Sequence, residues 1–120
     1  MKRLIIKTFA AASLIFSAQA AFACDYPERA EIPDGDSASK EEMLAGQNSV
    51  KDYVATMEAY LDCIVEQEKA ARAEIEELEP EDEQLRDDLL NKKYNAAVEE
   101  MEKTAAQFNE EVQAYKARQE

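Results

Sequence analysis

Two cysteines and a large excess of carboxylates are the residues of this chain whose types could do chemistry: Cys24, Cys63 and 27 Asp and Glu against 14 Lys and Arg. A cysteine pair can close a structural disulfide or take part in thiol exchange, and Cys24 alone could carry a lipid. Thiol exchange needs a reactive thiolate, usually supported by a second nearby cysteine or a positive neighbour. Cys63 stands instead in "LDCIVEQE", beside Asp62 and 39 positions from Cys24. Structural pairing of Cys24 with Cys63 is therefore the expectation.

The carboxylates suggest less. Acid–base catalysis by paired carboxylates requires a cleft that moves their pKa values apart, and here they fall on predicted solvent-facing helices. Asp34-Gly35-Asp36 invites a calcium reading, but a calcium-hand loop ends in a bidentate Glu at its twelfth position, and the twelfth residue from Asp34 is Ala45. An Asp-Gly turn is what remains. The chain has no His, so the usual general base, the commonest metal ligand and the near-neutral charge switch are all missing. No catalytic, cofactor-binding or metal-ligating residue is assigned, and no enzymatic activity is expected.

The compartment follows from the first 23 residues, "MKRLIIKTFAAASLIFSAQAAFA", in which Lys2, Arg3 and Lys7 precede an apolar run from Phe9 to Phe16. This is the pattern of a secretory signal peptide. The apolar run is far shorter than the ~20 residues a spanning helix needs, so no membrane span is expected in the mature chain. Small residues offer cleavage before Ala21 or before Cys24. A lipoprotein signal normally places Leu three residues before the acylated cysteine and small residues in between; Ala21 and the bulky Phe22 fit that pattern poorly. A lipid anchor on Cys24 would also leave Cys63 as an odd free thiol, whereas two cysteines in an oxidising compartment usually pair. A periplasmic or secreted protein is the expectation.

Loss of residues 1–23 leaves 11 basic residues against 27 acidic, a net charge of −16 on 97 residues. Nucleic acid and anionic lipid surfaces would repel such a chain, while solvated carboxylates would keep it dispersed. Ninety-seven residues make one small domain, a size at which cross-linking or self-association commonly supplements a limited core.

The elements that must position the cysteines are an arm and two helices. Residues 24–38 hold Pro27, Pro33 and Gly35 and read as an extended arm with a turn. "SKEE" from Ser39 is a capping box that opens a first helix. Its apolar residues, Met43, Val50, Val54, Met57, Leu61, Ile64, Ala71, Ile75 and Leu78, alternate by threes and fours once Gln47 and Glu68 fill two gaps, so a heptad seam is predicted over 39–79. Gly46 is a weak spot of about 1 kcal/mol relative to alanine. Glu74, Glu76, Glu77 and Glu79 are unfavourable at a helix C-terminus, and fraying is expected there.

Pro80 followed by Glu81, Asp82 and Glu83 suits the start of a second helix over 80–118. Its predicted seam is Tyr94, Val98, Met101, Ala105, Phe108, Val112 and Tyr115, with Leu85, Leu89 and Leu90 out of register near a stutter. Glu68 with Arg72, Asp88 with Lys92 and Glu99 with Lys103 stand four apart with the acid first, which favours helical ion pairs. The predicted fold is all-α: two nearly equal helices forming an antiparallel coiled-coil-like hairpin (39–120) preceded by the arm, with a single rod kinked at Pro80 as the alternative.

The pairing must also be within reach. Ser39 to Cys63 covers about 36 Å of helix, and the arm can extend to about 50 Å, so Cys24 reaches Cys63 if the arm folds back along the first helix. Tyr53 and Tyr60 would then receive Tyr26, Pro27, Ile32 and Pro33.

The stretches "IPDG" at 32–35, "ASKEEMLAGQ" at 38–47 and "VKDYVATMEAYLDC" at 50–63, with Cys24 ahead of Pro27, cover about 40 residues. In them the chain resembles a set of small, uncharacterised exported proteins of proteobacteria with an N-terminal Cys, a Pro-Asp-Gly turn and a Tyr-Leu-x-Cys helix. The resemblance implies a helical exported protein and supplies no activity. Together these readings point to a non-enzymatic helical component of the cell envelope, with a chaperone-like role as one form of it, whose partners are other envelope proteins or further copies of itself. Self-packing on the seams is the expected role of Met43, Met57 and Met101, and adaptable apolar surface for client proteins the alternative one. An acidic cation-binding protein and a Cys24-acylated lipoprotein are the competing readings.

Overall fold

The structure, a computed structural model, describes residues 23–120. The leader read from the sequence therefore lies, apart from Ala23, outside the described residues. The chain runs extended to Pro33, turns at Gly35–Ser37, and then forms α1 (Lys40–Ala73) and α2 (Pro80–Gln119).

Helix α1 begins where the capping box predicts. The Ser39 hydroxyl accepts from the Glu42 amide at 3.2 Å, and the Glu42 carboxylate accepts from the Ser39 amide at 2.6 Å, so two amides that the helix leaves unpaired are satisfied. The helix stops six residues short of the expected Glu79. Arg72, in its last turn, suits the negative end of the helix, whereas carrying on would have put Glu74, Glu76, Glu77 and Glu79 there. Residues 74–79 form the connection instead, and Pro80 restarts the helix with Glu81, Asp82 and Glu83 in its first turn. The two helices, of 34 and 40 residues, pack against each other as an antiparallel hairpin. The kinked rod is excluded because the chain reverses at the connection.

Met43, Val50, Met57 and Ile64 are buried at intervals of seven along α1, together with Tyr53 and Leu61, and Met57 is fully enclosed. On α2 the buried residues are Ala97 and Thr104, neither of which is on the predicted seam. That seam is only half-buried from Val98 to Tyr115, and Tyr94 is exposed. The seam expectation gave α2 one neighbour. It has two, α1 and the arm, and small residues occupy the line where all three approach. The Thr104 hydroxyl is satisfied within its own helix by the Glu100 carbonyl at 2.8 Å.

The arm lies between the helices, antiparallel to α1 and parallel to α2. Tyr26 packs edge-on against Tyr60, with ring centroids 5.1 Å apart. The Glu31 amide donates to the Ser49 hydroxyl at 3.1 Å, and Pro33 sits on Gly46. On the other side Arg29 pairs with Glu100 at 3.2 Å, the Gly35 amide donates to the Glu111 carboxylate at 2.7 Å, and Arg118 donates to the Ala38 carbonyl. Tyr53 lies in the core cluster with Met57, Leu61, Ile64 and Ala97.

Both glycines are explained by close approach. A Cβ on Gly35 would fall onto the Glu111 carbonyl, 2.8 Å from its carbon, and one on Gly46 would stand 2.6 Å from Pro33 Cγ. The turn holds itself by the Asp34 carboxylate, which accepts from the Asp36 amide at 3.0 Å and the Ser37 hydroxyl at 3.1 Å.

Of the three predicted helical ion pairs, Glu68–Arg72 forms at 3.0 Å. Lys103 reaches Glu100 at 3.8 Å and not Glu99, and no ion pair joins Asp88 to Lys92 among the described residues.

Candidate binding groove beyond the staple

The arm starts at Cys24, and the structure joins its sulfur to that of Cys63 at 2.01 Å, with the Cα atoms 5.8 Å apart. The two residues singled out in the sequence are thus adjacent, on the first residue of the arm and the middle of α1. Cys63 itself is half-buried, and the next residue, Ile64, belongs to the core.

The faces of the helices that hold the arm do not end at this staple. On α1 the arm meets positions 46, 49, 53, 60 and 63; continuing by threes and fours reaches Gln67 and Ala71. On α2 it meets Glu100, Thr104 and Glu111; stepping backward in the same way reaches Lys93, Leu89, Arg86 and Asp82. All of these line a cleft of about 640 Å³, open to solvent, that occupies the end of the hairpin nearest the connection. Its apolar lining is Ile64, Ala71, Ile75, Leu78, Leu85, Leu89 and Leu90. Leu85 is 58% exposed and Leu89 52%. One interhelical groove therefore has a half filled by the chain's own arm and a half without it.

Ion pairs hold this open half in shape. The Glu68 carboxylate accepts from Arg72 on its own helix at 3.0 Å and from Arg86 on α2 at 3.1 Å, and Arg72 also donates to Asp87. Burial alone would raise the Glu68 carboxyl; the hydrogen bonds from Arg72 and Arg86 outweigh it and hold the group below the usual glutamate range. The rim toward the connection is strongly acidic, with nine carboxylates and one arginine between Glu74 and Asp88. Apart from Asp87 these carboxylates have no ion-pair partner among the described residues.

This arrangement brings together apolar side chains and uncompensated negative charge. Its Glu68–Arg86 contact is an ion pair that bridges the helices. What the groove offers chemically is desolvation of apolar groups beside a negative field.

On the first helix Ile64 and Ala71 were legible as seam residues, whereas the groove residues of α2 were visible in the sequence only as irregularities. Leu85 and Leu89 broke the register of α2 because they face the groove. Ile75 and Leu78, expected on a helical seam, lie in the connection and close the groove's end. A break in heptad register coinciding with an acidic run was the available pointer. No protein-family model, no curated protein and no solved structure matches the chain.

Proposed function

We propose that the chain is an exported, non-enzymatic protein-binding component of the bacterial cell envelope, periplasmic or secreted, that works through the open half of its interhelical groove in a chaperone-like manner. One observation carries this reading: Leu85 and Leu89, with half or more of their surface in water, face an open cleft where Ile64, Ala71, Ile75, Leu78 and Leu90 stand beside charged and polar side chains, in a chain where Met57 and Ala97 are fully enclosed. Exposed leucines gathered in a cleft with a few polar and charged groups are a common mark of a binding site. Export is supported by the N-terminal sequence pattern. The pairing of Cys24 with Cys63 suits an oxidising compartment.

The test is suppression of aggregation of a chemically unfolded envelope protein, comparing the wild type with Leu85→Ser/Leu89→Ser. Suppression by the wild type and its loss in the double variant are expected. Equal performance of the two proteins, or none by either, would count against the groove as the working surface. The intact mass of protein isolated from the envelope checks export independently: it should begin at Ala21 or Cys24, carry no lipid, and release two thiols on reduction.

A further inference from the structure

Resting on that reading, we propose that the open half of the groove takes a basic amphipathic helix of another protein, about three turns long. The groove's other half already receives a polypeptide, so the surface that a partner would cover continues an interface the chain makes with itself. The arm lies directly on the helices because Gly46 carries no Cβ beneath Pro33. The chain's only two glycines, Gly35 and Gly46, both serve the arm, and the open half is lined by Ile64, Ala71, Leu85 and Leu89. Leucine-sized side chains offered by both helices suit an occupant at the 8–10 Å interaxial distance typical of packed helices. An occupant there meets side chain with side chain, as a helix does when it lays an apolar face into a groove.

Length and charge complete the description. Positions 82–93 of α2 extend about 18 Å at 1.5 Å per residue, which matches about three turns of a third helix. The rim toward the connection, from Glu74 to Asp88, is where the carboxylates concentrate, and Lys93 lies at the opposite end of the lining. A partner helix would therefore gather its Lys and Arg toward the connection and point leucine-sized residues inward at i, i+3, i+4 and i+7. A second copy of the chain is the poorer occupant, because docking it end to end would bring two such acidic rims together.

The test uses the full mature, oxidised protein and a fluorescein-labelled peptide of about 14 residues, long enough for three turns with Leu at i, i+3, i+4 and i+7 and Lys elsewhere. One control peptide carries Glu in place of Lys, and a second has the same composition with the Leu spacing scrambled. Anisotropy titration should show saturable one-to-one binding of the Leu/Lys helix. Affinity should fall at least about tenfold for the scrambled peptide and for Leu85→Ser/Leu89→Ser, with no saturation by the Leu/Glu peptide. Leu85 and Leu89 are exposed, so the double variant should keep its helix content by circular dichroism, and a fold-retaining Leu85→Ala/Leu89→Ala protein serves as the milder comparison. Equal binding of the scrambled or Leu/Glu peptide would overturn the inference, as would unchanged affinity in both leucine variants. Sedimentation showing a wild-type dimer that the leucine substitutions dissolve would overturn it in favour of a second copy. Aggregation suppression that depends on Leu85 and Leu89 without any binding of the Leu/Lys helix would remove this partner class and leave the protein-binding reading standing. Failure of both measurements would remove both.

Discussion

Replacing Gly46 with alanine sets two effects of similar size against each other. Inside a helix, alanine is favoured over glycine by about 1 kcal/mol, so propensity alone predicts a more stable protein. The structure predicts the reverse. The new Cβ would stand 2.6 Å from Pro33 Cγ, closer still to Cδ, and 3.3 Å from the Phe108 ring. Carbon atoms pack at about 3.5–4.0 Å, so the proline must retreat by roughly 1 Å. Its ring cannot rotate away, since it is part of the backbone, and the arm is fixed on either side by the Cys24–Cys63 bond and by the Gly35 hydrogen bond to Glu111. Overpacking of this kind is worth about 1–3 kcal/mol, leaving a net destabilisation of about 0–2 kcal/mol after the propensity gain. Urea unfolding of the wild type, Gly46→Ala, Pro33→Ala and the double variant forms the cycle that isolates the contact. Without Cγ and Cδ at position 33, Gly46→Ala should recover its propensity gain, giving a coupling of about 1–3 kcal/mol. A higher urea midpoint for Gly46→Ala in the otherwise native protein, or the same shift in both backgrounds, would refute the account of how the arm docks.

Two further outcomes follow from the staple and the ion cluster. Reduction, or Cys24→Ser/Cys63→Ser, should lower stability by about 4 kcal/mol in the chain-entropy model for a loop of this length, read as the difference in urea midpoint with and without reductant; coincident curves would show that the bond contributes nothing. Glu68 has a carboxyl held below its usual value of 4.5, so the stability it confers is fully present above that value and is lost as pH falls through the lowered one. The stability advantage of wild type over Glu68→Gln should therefore be greatest near neutrality and shrink on acidification below about pH 4.5, and a difference independent of pH would sink the assignment.

How far the sequence reached depended on how many neighbours each residue has. The cap at Ser39 and the restart at Pro80 are local events, written in four or five adjacent residues, and the structure places them where the pattern does. The burial of Met43, Val50, Met57 and Ile64 was likewise legible as a period of seven. The prominence of Ala97 and Thr104 was not, because a periodicity argument weighs large apolar residues and the crowded line between α1, α2 and the arm selects small ones. Gly46 read as a defect for the same reason: its use lies in Pro33, which no helical pattern includes. The weakness of the end of α1 was legible in Glu74, Glu76, Glu77 and Glu79, but its boundary was not, because Ile75 and Leu78 continue the apolar spacing while the charges around them oppose the helix. The open groove left only a trace, the displaced register of Leu85 and Leu89.

The position of the staple along the chain bears on the order of assembly. The arm, both cysteines and the whole of α1 lie within residues 24–73, all ahead of α2. A chain delivered N-terminus first exposes both thiols while the residues that later cover the arm are still to come. Two thiols admit a single intramolecular pairing, so early oxidation leaves no wrong partner to be undone. If the bond closes first, helix α2 meets a surface already joined into a ring and adds the contacts most distant in sequence, Arg29 to Glu100, Gly35 to Glu111 and Ala38 to Arg118, after the shorter loop. Non-local contacts are the slow step in small domains because loop closure must precede their reward. A ring closed first would shorten the chain between those partners.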